Sequence, residues 1–281
     1  MKLKVAIVGI GRWGQNLIKE LNPIAEIAYT INRSNLADYA TALADKDLVA
    51  VIIATPTPTH FELAQSALTA GKHVFLEKPG TDSRKKLAEL SKLAADKKLT
   101  LAIGYEFAHH PAILAIKKII ANQTVSTVKM EWYKWGTFES PIVPHLFGHD
   151  LSVMKILSWW PPTIESCRQT AGESAGDILE TNLTFGETKI SSLINRVSQD
   201  KKKVITITTD KQIIVWSGNN LSISTKEKPE PTDIALNATS PVAAELTDFF
   251  TSITTGKKPL TDGSFAEEIY DLIDEANKKL A

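Results

Sequence analysis

Six residues near the start of the chain have the types and spacing of a phosphate-binding loop. They are Gly9, Ile10, Gly11, Arg12, Trp13 and Gly14. The stretch follows an apolar strand-like run and opens a helix-like run, which is the setting in which this spacing indicates dinucleotide binding. The first glycine permits a tight turn, the second lets the backbone approach a pyrophosphate, and the third allows close packing of helix and strand. The N–H groups at the helix start would hold the phosphates. The alternative is an ordinary glycine-rich turn. Arg12 either adds positive charge to the phosphate site or lies in solvent, and the sequence leaves both open.

The residues after the second predicted strand bear on the choice between NAD and NADP. NAD-binding proteins usually place an acidic residue here to hold the ribose diol. This chain has Asn32, Arg33 and Ser34 instead. An asparagine binds a ribose hydroxyl without repelling a 2′-phosphate, an arginine pairs with that phosphate or stacks on adenine, and a serine donates to it. We therefore favour NADP over NAD. The alternative is a solvent-facing turn at Arg33 and Ser34.

Two histidines in the second half of the chain are spaced for a shared role. His145 and His149 are four residues apart, so a helix would present both imidazoles on one face. One interpretation is a zinc site, completed by Asp150 or by the pair His109 and His110. Histidines with only a structural role are another. No HExxH sequence is present, and we therefore predict no metal.

The elements that must position these residues alternate through the first hundred positions. Strands are predicted at Leu3–Val8, Ile24–Ile31, Val49–Ala54, His73–Glu77 and Thr100–Gly104. Helices are predicted between them at Trp13–Leu21, Ser34–Ala44, Phe61–Ala70 and Ser83–Lys97. Strands that are apolar throughout, separated by amphipathic helices, indicate a parallel sheet covered on both faces. The first part is thus predicted to be a doubly wound Rossmann domain.

The pattern changes after Glu106 and becomes that of a second α/β domain. Strands with polar alternation are predicted at Val125–Trp135, Ile178–Phe185, Lys189–Val197, Val204–Thr208 and Ile213–Trp216. Helices are predicted at Ala112–Ile120, Leu146–Leu157, Val242–Thr254 and Ser264–Leu280, with an irregular stretch from Lys226 to Pro241. Such strands indicate a large open, mostly antiparallel sheet with one covered face. We predict domains at residues 1–107 and 108–281, and a solvated hairpin turn at Lys201, Lys202 and Lys203.

Composition excludes several classes of function. The 281 residues carry 32 basic and 32 acidic side chains, so no overall basic field favours nucleic acid or an anionic membrane. The single cysteine, Cys167, can form neither an internal disulfide nor a cysteine-based zinc site. No apolar run approaches the roughly 20 residues of a membrane span. We expect a cytoplasmic protein.

Three stretches together resemble the glucose–fructose oxidoreductase / inositol dehydrogenase (Gfo/Idh/MocA) family. The first two are Ala54–His60, which reads ATPTPTH, and Ala70–Pro79, which reads AGKHVFLEKP. The third is the tail, with ELTDFF from Glu245 and GKKPLTDG from Gly256. With the glycine loop, the resemblance spans nearly the whole chain, and its EKP and TP…H segments are the most specific parts.

The resemblance implies where the cofactor and a partner would bind. It implies a Rossmann domain whose cofactor, NADP or NAD, lies across the ends of the strands. Further cofactor contacts would come from Thr55, Pro56, Thr57 and His60, with Glu77 and Lys78 beside the nicotinamide. The free face of the second domain's sheet often packs against another subunit in this family, which implies a homodimer or homotetramer.

The resemblance also implies catalytic and substrate-binding residues. Lys78 is at the position of the family's proton-transferring lysine, and His149 matches a histidine that touches the reacting hydroxyl. His145 stands where the family usually has an aspartate, and Glu106 where many members have an amide. Asp150 would orient His149 or bind sugar hydroxyls.

The function that follows is an NAD(P)-dependent oxidoreductase. It would transfer a hydride between nicotinamide and a hydroxyl or keto carbon of a sugar, polyol, sugar acid or nucleotide sugar. The departures at Asn32, Glu106 and His145 keep an alternative open, a non-catalytic NAD(P)-binding regulatory protein. Reduction of a non-sugar substrate is a second alternative.

Overall fold

The chain forms two compact units. The computed structural model describes residues 2–136, 138, 140–173 and 176–280. One unit comprises Met1–His109 and Thr239–Tyr270, and the other His110–Ala238 and Asp271–Ala281. The predicted domain boundary at residue 107 stays a prediction. The division into units also shows that Thr239–Tyr270, near the end of the chain, belongs to the first unit.

The first unit contains a parallel five-stranded sheet, as predicted. Its strands are β1 Leu3–Val8, β2 Ala25–Ile31, β3 Ala50–Ile53, β4 His73–Glu77 and β5 Leu101–Gly104, in the order β2-β1-β3-β4-β5. The helices between them are α1 Arg12–Leu21, α2 Asp38–Ala44, α3 His60–Thr69 and α4 Arg84–Asp96. Every residue of β3 and β5 is buried, which is why these strands are apolar throughout. The Rossmann prediction is confirmed.

The second unit contains an eight-stranded, mostly antiparallel sheet. Its strands are β6 Val125–Trp135, β7 Thr163–Thr170, β8 Ile178–Phe185, β9 Thr188–Asn195, β10 Val197–Thr209, β11 Gln212–Ser217, β12 Asn220–Thr225 and β13 Thr232–Asp233. The order is β13-β12-β11-β10-β6-β9-β8-β7, with β6 and β9 parallel. Helices α5 Pro111–Ile120 and α6 Gly148–Ile156 belong to this unit. The predicted large open sheet is confirmed.

Two helices close the described chain, α7 Pro241–Thr255 and α8 Gly263–Leu280. The apolar face of α7 joins the core of the parallel sheet. Leu246 and Phe249 are buried in one cluster with Ile52 and Phe75, and the rings of Phe75 and Phe249 lie 5.8 Å apart, edge to face. This packing explains why α7 belongs to the first unit.

The structure corrects several local predictions. The helix expected from Ser34 begins only at Asp38, because Asn32 and Asn35 close a capping box around a short 3-10 turn at Arg33–Asn35. The helix expected from Leu146 is preceded by a wide π turn at Val143–Phe147. Strands β7, β12 and β13 were not predicted.

The predicted hairpin turn at Lys201–Lys203 is wrong. These residues lie inside β10, which pairs with β6. Side chains alternate between the two faces of a strand, so Lys203 shares a face with Ile205 and Ile207, which are buried. Its side chain is only 12% exposed.

Among the helices that the structure describes, none is both long and apolar enough to cross a membrane.

Candidate functional site

The glycine loop of the first unit has the shape that a pyrophosphate requires. Gly9 has a φ of +95°, and a Cβ on it would lie 2.4 Å from the carbonyl oxygen of Ala54. A Cβ on Gly14 would lie 2.0 Å from the carbonyl oxygen of Gly9. By contrast, a Cβ on Gly11 would meet no described atom within 4 Å, so there is open space at this point of the loop. Gly9 and Gly14 are thus closely packed, whereas Gly11 faces open space. This arrangement fits a bound phosphate at Gly11.

The start of α1 offers backbone donors to that space. Gly11 is the extended residue before the helix, and no side chain of the described residues caps its N-terminus. The first turn contains no acidic residue. Ile10 is half-buried, while Arg12 and Trp13 are exposed. Uncapped N–H groups with the positive end of the helix dipole form an anion site, which fits a dinucleotide.

The residues predicted to choose between NAD and NADP form one short turn. The Oδ1 atom of Asn32 accepts hydrogen bonds from the backbone N–H of Ser34 at 2.7 Å and from its hydroxyl at 2.6 Å. Arg33, between them, is exposed. The hydroxyl of Ser34 thus already donates within the turn, and the guanidinium of Arg33 faces solvent at the end of β2.

His60 ties together the two loops that the sequence motifs identified. Its Nε2 lies 2.7 Å from the carbonyl oxygen of Thr55, and its Nδ1 lies 3.1 Å from that of Pro79. The ring is 1% exposed, and burial lowers the pKa of His60. Pro56 is exposed and Thr57 is half-buried. His60 therefore connects the TP…H segment with the EKP corner through backbone carbonyls.

Glu77 is a buried carboxyl group at the end of β4. It accepts a hydrogen bond from Nε1 of Trp13 at 2.5 Å and one from the backbone N–H of Lys78 at 3.2 Å. A Cβ on Gly104 would lie 3.1 Å from the Glu77 carboxyl, so a side chain at this strand end would crowd that group. Burial raises the pKa of Glu77 to about 7, with a smaller upward contribution from Glu106, although Trp13 and Lys78 oppose the rise.

A second buried carboxyl group, Glu245 on α7, lies near Glu77. Glu245 is 2% exposed, and no described residue makes a hydrogen bond to either of its carboxyl oxygens. Burial, followed by the charges of Glu77 and Glu106, raises the pKa of Glu245 well above its usual range. We did not predict a site role for Glu245. The sequence did carry a signal, since Glu245 interrupts an apolar stripe formed by Val242, Leu246 and Phe249.

A histidine and an aspartate lie beside this carboxyl pair. Nε2 of His109 lies 3.2 Å from Oδ2 of Asp248, which also accepts the backbone N–H of Leu260 at 2.7 Å. The hydrogen bonds of Asp248 lower its pKa, although burial opposes them. His109 follows Glu106 by three residues, as Asp248 follows Glu245. The short 3-10 turn at Glu106–His109 therefore packs against α7. Glu106 acts on Glu245, and His109 contacts Asp248.

In the second unit, His149 lies within an aromatic and charged cluster. His149 is 4% exposed and its ring lies 5.4 Å from that of Trp132. The neighbouring Asp150 accepts hydrogen bonds from Nζ of Lys203 at 3.0 Å and from the hydroxyl of Ser192 at 2.7 Å. Lys203 also lies over the Trp132 ring, 3.8 Å from its centroid. Both oxygens of Asp150 thus anchor α6 to the sheet.

The remaining predicted residues are placed as follows. His145 is half-buried within the π turn before α6. Burial, with a smaller contribution from Lys203, lowers the pKa of His110 to about 4. Within the described ranges, no group of three or more His, Cys, Asp or Glu side chains is arranged to hold a metal ion.

Comparisons with known proteins identify relatives of this chain. A family model, GFO_IDH_MocA, described as an oxidoreductase family with an NAD-binding Rossmann fold, matches residues 24–105. UDP-N-acetylglucosamine 3-dehydrogenase from Acidithiobacillus ferrooxidans is 26% identical over 174 residues, which cover 57% of this chain and 56% of that protein. The match to the next curated relative covers 30% of that protein's length. The chain therefore spans about half or less of the length of these relatives.

Solved structures share the whole fold. The structure of UDP-N-acetylglucosamine 3-dehydrogenase GnnA from Acidithiobacillus ferrooxidans matches with a TM-score of 0.87 at 21% identity, covering 100% of this chain and 98% of that one. A 3-ketoreductase from Actinomadura kijaniata, in complex with TDP-benzene and NADP, matches with a TM-score of 0.86 at 14% identity and the same coverage. At these identities the likeness establishes the fold.

Proposed function

We propose that the chain is a member of the Gfo/Idh/MocA oxidoreductase family, whose model matches residues 24–105, and that it is an NAD(P)-dependent dehydrogenase or reductase. Its substrate would be a sugar, polyol, sugar acid or nucleotide sugar, reacting at a hydroxyl or keto carbon. One observation carries the proposal. Trp13, in the first turn of the phosphate-binding helix, donates a hydrogen bond to Glu77 of the EKP corner. One unit therefore joins a phosphate site to a fixed carboxyl group and lysine at the strand ends, where open α/β sheets bind ligands.

Each residue of the first unit has a role in this proposal. The α1 N–H groups hold the pyrophosphate, and Gly11 leaves room for it. The nicotinamide supplies the hydride acceptor or donor when bound. Lys78, half-buried at the end of β4, exchanges the proton of the reacting hydroxyl. His60 holds the two adjoining loops together through Thr55 and Pro79.

For the second unit we propose that His149 orients a hydroxyl of the substrate, with His145 nearby in sequence. Asp150 supports this residue indirectly, because its oxygens fix α6 against Ser192 and Lys203. Among the possible substrates we favour nucleotide sugars. The reason is that a curated relative is named a UDP-N-acetylglucosamine dehydrogenase and a structural relative contains a TDP compound.

NADP is the cofactor that we favour. The turn after β2 has no carboxylate to repel a 2′-phosphate, and exposed Arg33 can pair with one. The fluorescence of NADPH and NADH, titrated with the protein, measures both affinities. We expect NADPH to bind more tightly, and a strong preference for NADH would contradict the assignment of Arg33.

The activity is tested by following the oxidation or reduction of the bound cofactor across sugars, polyols, sugar acids and nucleotide sugars. We expect turnover with at least one of these classes. Tight cofactor binding without turnover on any class would favour the non-catalytic alternative.

We also propose that the eight-stranded sheet pairs with a second copy of the chain. Its inner face holds buried residues such as Ile190 and Leu183, whereas the opposite face presents Asn182, Glu180 and Lys189. The opposite face is exposed, so it is available for contact with a second copy. Light scattering of the intact protein should give a dimer or tetramer, and a monomer at all concentrations would contradict it.

A further inference from the structure

Three glutamates converge at the strand ends of the first unit. Glu77 ends β4, Glu106 follows β5, and Glu245 lies on α7. We call them the glutamate cluster. Glu77 is 6% exposed and Glu245 is 2% exposed, and the charges of Glu77 and Glu106 both act on Glu245. Two like charges as deeply buried as Glu77 and Glu245, with half-buried Glu106 beside them, cannot all be ionised together without a large cost, so the cluster must retain protons.

The surroundings of the cluster explain which carboxyl group keeps a proton. Glu77 has two donors, the Trp13 indole and the Lys78 backbone, both of which favour its charged form. No described residue makes a hydrogen bond to Glu245, so ionising it would place an unsolvated charge in the core. Glu245 is therefore the group that stays neutral, and Glu77 is the group that can change its charge.

We propose that the glutamate cluster is a proton-binding site that releases a proton when an oxidised nicotinamide ring binds beside Glu77 and Lys78. The proposal rests on the proposed cofactor binding. The oxidised ring carries a positive charge and the reduced ring does not. A positive charge next to Glu77 favours its ionised form, so the proton leaves to solvent. By linkage, the oxidised cofactor then binds more tightly as the pH rises through neutrality, and the reduced cofactor lacks this dependence.

The other charged groups near the cluster leave this sign unchanged. Lys78, the residue after β4, already lowers the pKa of Glu77, and Glu106 on the 3-10 turn raises it. Asp248 on α7 is held by His109. From α1 comes the indole of Trp13, which carries no charge, and β5 contributes Gly104, which has no side chain.

Calorimetry of cofactor binding tests the proposal directly. The intact protein is titrated with NADP+ and with NADPH at about pH 7, in two buffers with different enthalpies of ionisation, which gives the number of protons released. We expect a release of up to about half a proton for NADP+ and correspondingly less for NADPH. Both forms carry the same phosphates, so the difference between them isolates the charge of the ring. Lowering the pKa of Glu77 by about one unit makes NADP+ bind about fivefold more tightly at pH 8 than at pH 6.

Variants assign the proton to its residue. In Glu77→Gln the difference in proton release between NADP+ and NADPH should vanish. Glu106→Gln removes a like charge, so the release should move to lower pH. Glu245→Gln keeps a neutral group in place, so it should preserve the release near neutrality and remove any further release above about pH 8. The matched control is Glu89→Gln, an exposed glutamate of the same unit, which should behave as the unaltered protein.

The outcomes separate the two proposals. Equal proton release by NADP+ and NADPH, or a difference that survives in Glu77→Gln, would overturn the proton-binding site and leave the cofactor assignment standing. If neither NAD(H) nor NADP(H) binds, the proposed function fails and the proton site fails with it.

Discussion

At the scale of single residues, Lys78 is the one on which the proposed chemistry depends most directly. It is half-buried and follows the fixed carboxyl group of Glu77. Removal of a general acid–base group typically costs about 10²- to 10⁴-fold in rate. We therefore expect Lys78→Ala to lower kcat by that range while cofactor affinity changes by a few-fold only. Steady-state kinetics and NADPH fluorescence measure the two quantities.

The matched control is Lys85→Ala, which removes an exposed lysine from α4 of the same unit. It should keep both turnover and affinity. Full turnover by Lys78→Ala would reject the role of this lysine, and a loss of binding without a change in kcat would make it a cofactor anchor.

The residues of the candidate site differ in how far the sequence predicts them. Gly9, Gly14 and Lys78 belong to motifs in which the residue type follows from a local requirement, such as a backbone without Cβ atoms. Glu245 depends on a contact between α7 and strand ends far away in sequence. The sequence shows only that it interrupts an apolar stripe, and nothing local tells which carboxyl groups it will meet.

At the scale of elements, the pair of Lys203 and Asp150 joins β10 to α6. The Asp150 side chain is 2% exposed and that of Lys203 is 12% exposed. Removing one partner of a buried pair leaves an uncompensated charge, which costs about 3 kcal/mol or more. We expect Lys203→Met to lower the free energy of unfolding by about that amount. Chemical denaturation followed by circular dichroism measures it.

Lys201→Met provides the control for this pair. Lys201 is exposed on the same strand, so the same substitution should change the free energy of unfolding by less than about 0.5 kcal/mol. Equal stability of the two variants would show that Lys203 is as dispensable as a surface lysine.

The same strand shows why element-level prediction failed here. A run of three lysines suggests solvent, but alternation along β10 places Lys203 on the buried face with Ile205 and Ile207. β7 was missed for a related reason. It lies at the edge of the sheet, and among its eight residues only Ile164 is buried, so its sequence lacks the apolar alternation of an inner strand.

At the scale of the whole molecule, the sequence predicts the two kinds of sheet because each leaves a different pattern. Strands buried on both faces are continuously apolar, whereas strands with one open face alternate. The return of α7 to the parallel sheet had no such signal. An apolar stripe shows that a helix packs against something, and the partner, here Ile52 and Phe75, is set by the three-dimensional arrangement.

The buried histidines and carboxyl groups together determine how stability depends on pH. Burial lowers the pKa of His60 and His73, and lowers that of His110 to about 4. Below about pH 6.5 the unfolded chain binds protons that these folded histidines do not, so stability rises with pH up to that value. Above about pH 6.5 these histidines contribute no further change to the free energy of unfolding.

Glu77 and Glu245 act in the opposite direction and over a higher range. Because their pKa values are raised, that of Glu77 to about 7, the folded chain holds protons that the unfolded chain has released. From about pH 4.5 upward this lowers the free energy of unfolding, by at most about 1.4 kcal/mol per pH unit for each group. The two trends oppose each other below about pH 6.5, and above that value only the decline caused by the carboxyl groups remains.

Above about pH 7 the decline is due mainly to Glu245, because Glu77, with a pKa of about 7, has released half of its proton at that pH and most of it one pH unit higher. Glu245→Gln removes that ionisation while keeping the shape of the side chain, so we expect its free energy of unfolding to stay nearly constant between about pH 7 and 8.5. The unaltered protein should lose up to about 2 kcal/mol over the same interval, the limit set by one proton retained on Glu245. Urea denaturation at several pH values measures both, with Glu89→Gln as the exposed control that should follow the unaltered protein. An unchanged slope in Glu245→Gln would mean that Glu245 is already ionised in the folded state, and the buried acid on α7 would then need a cationic partner.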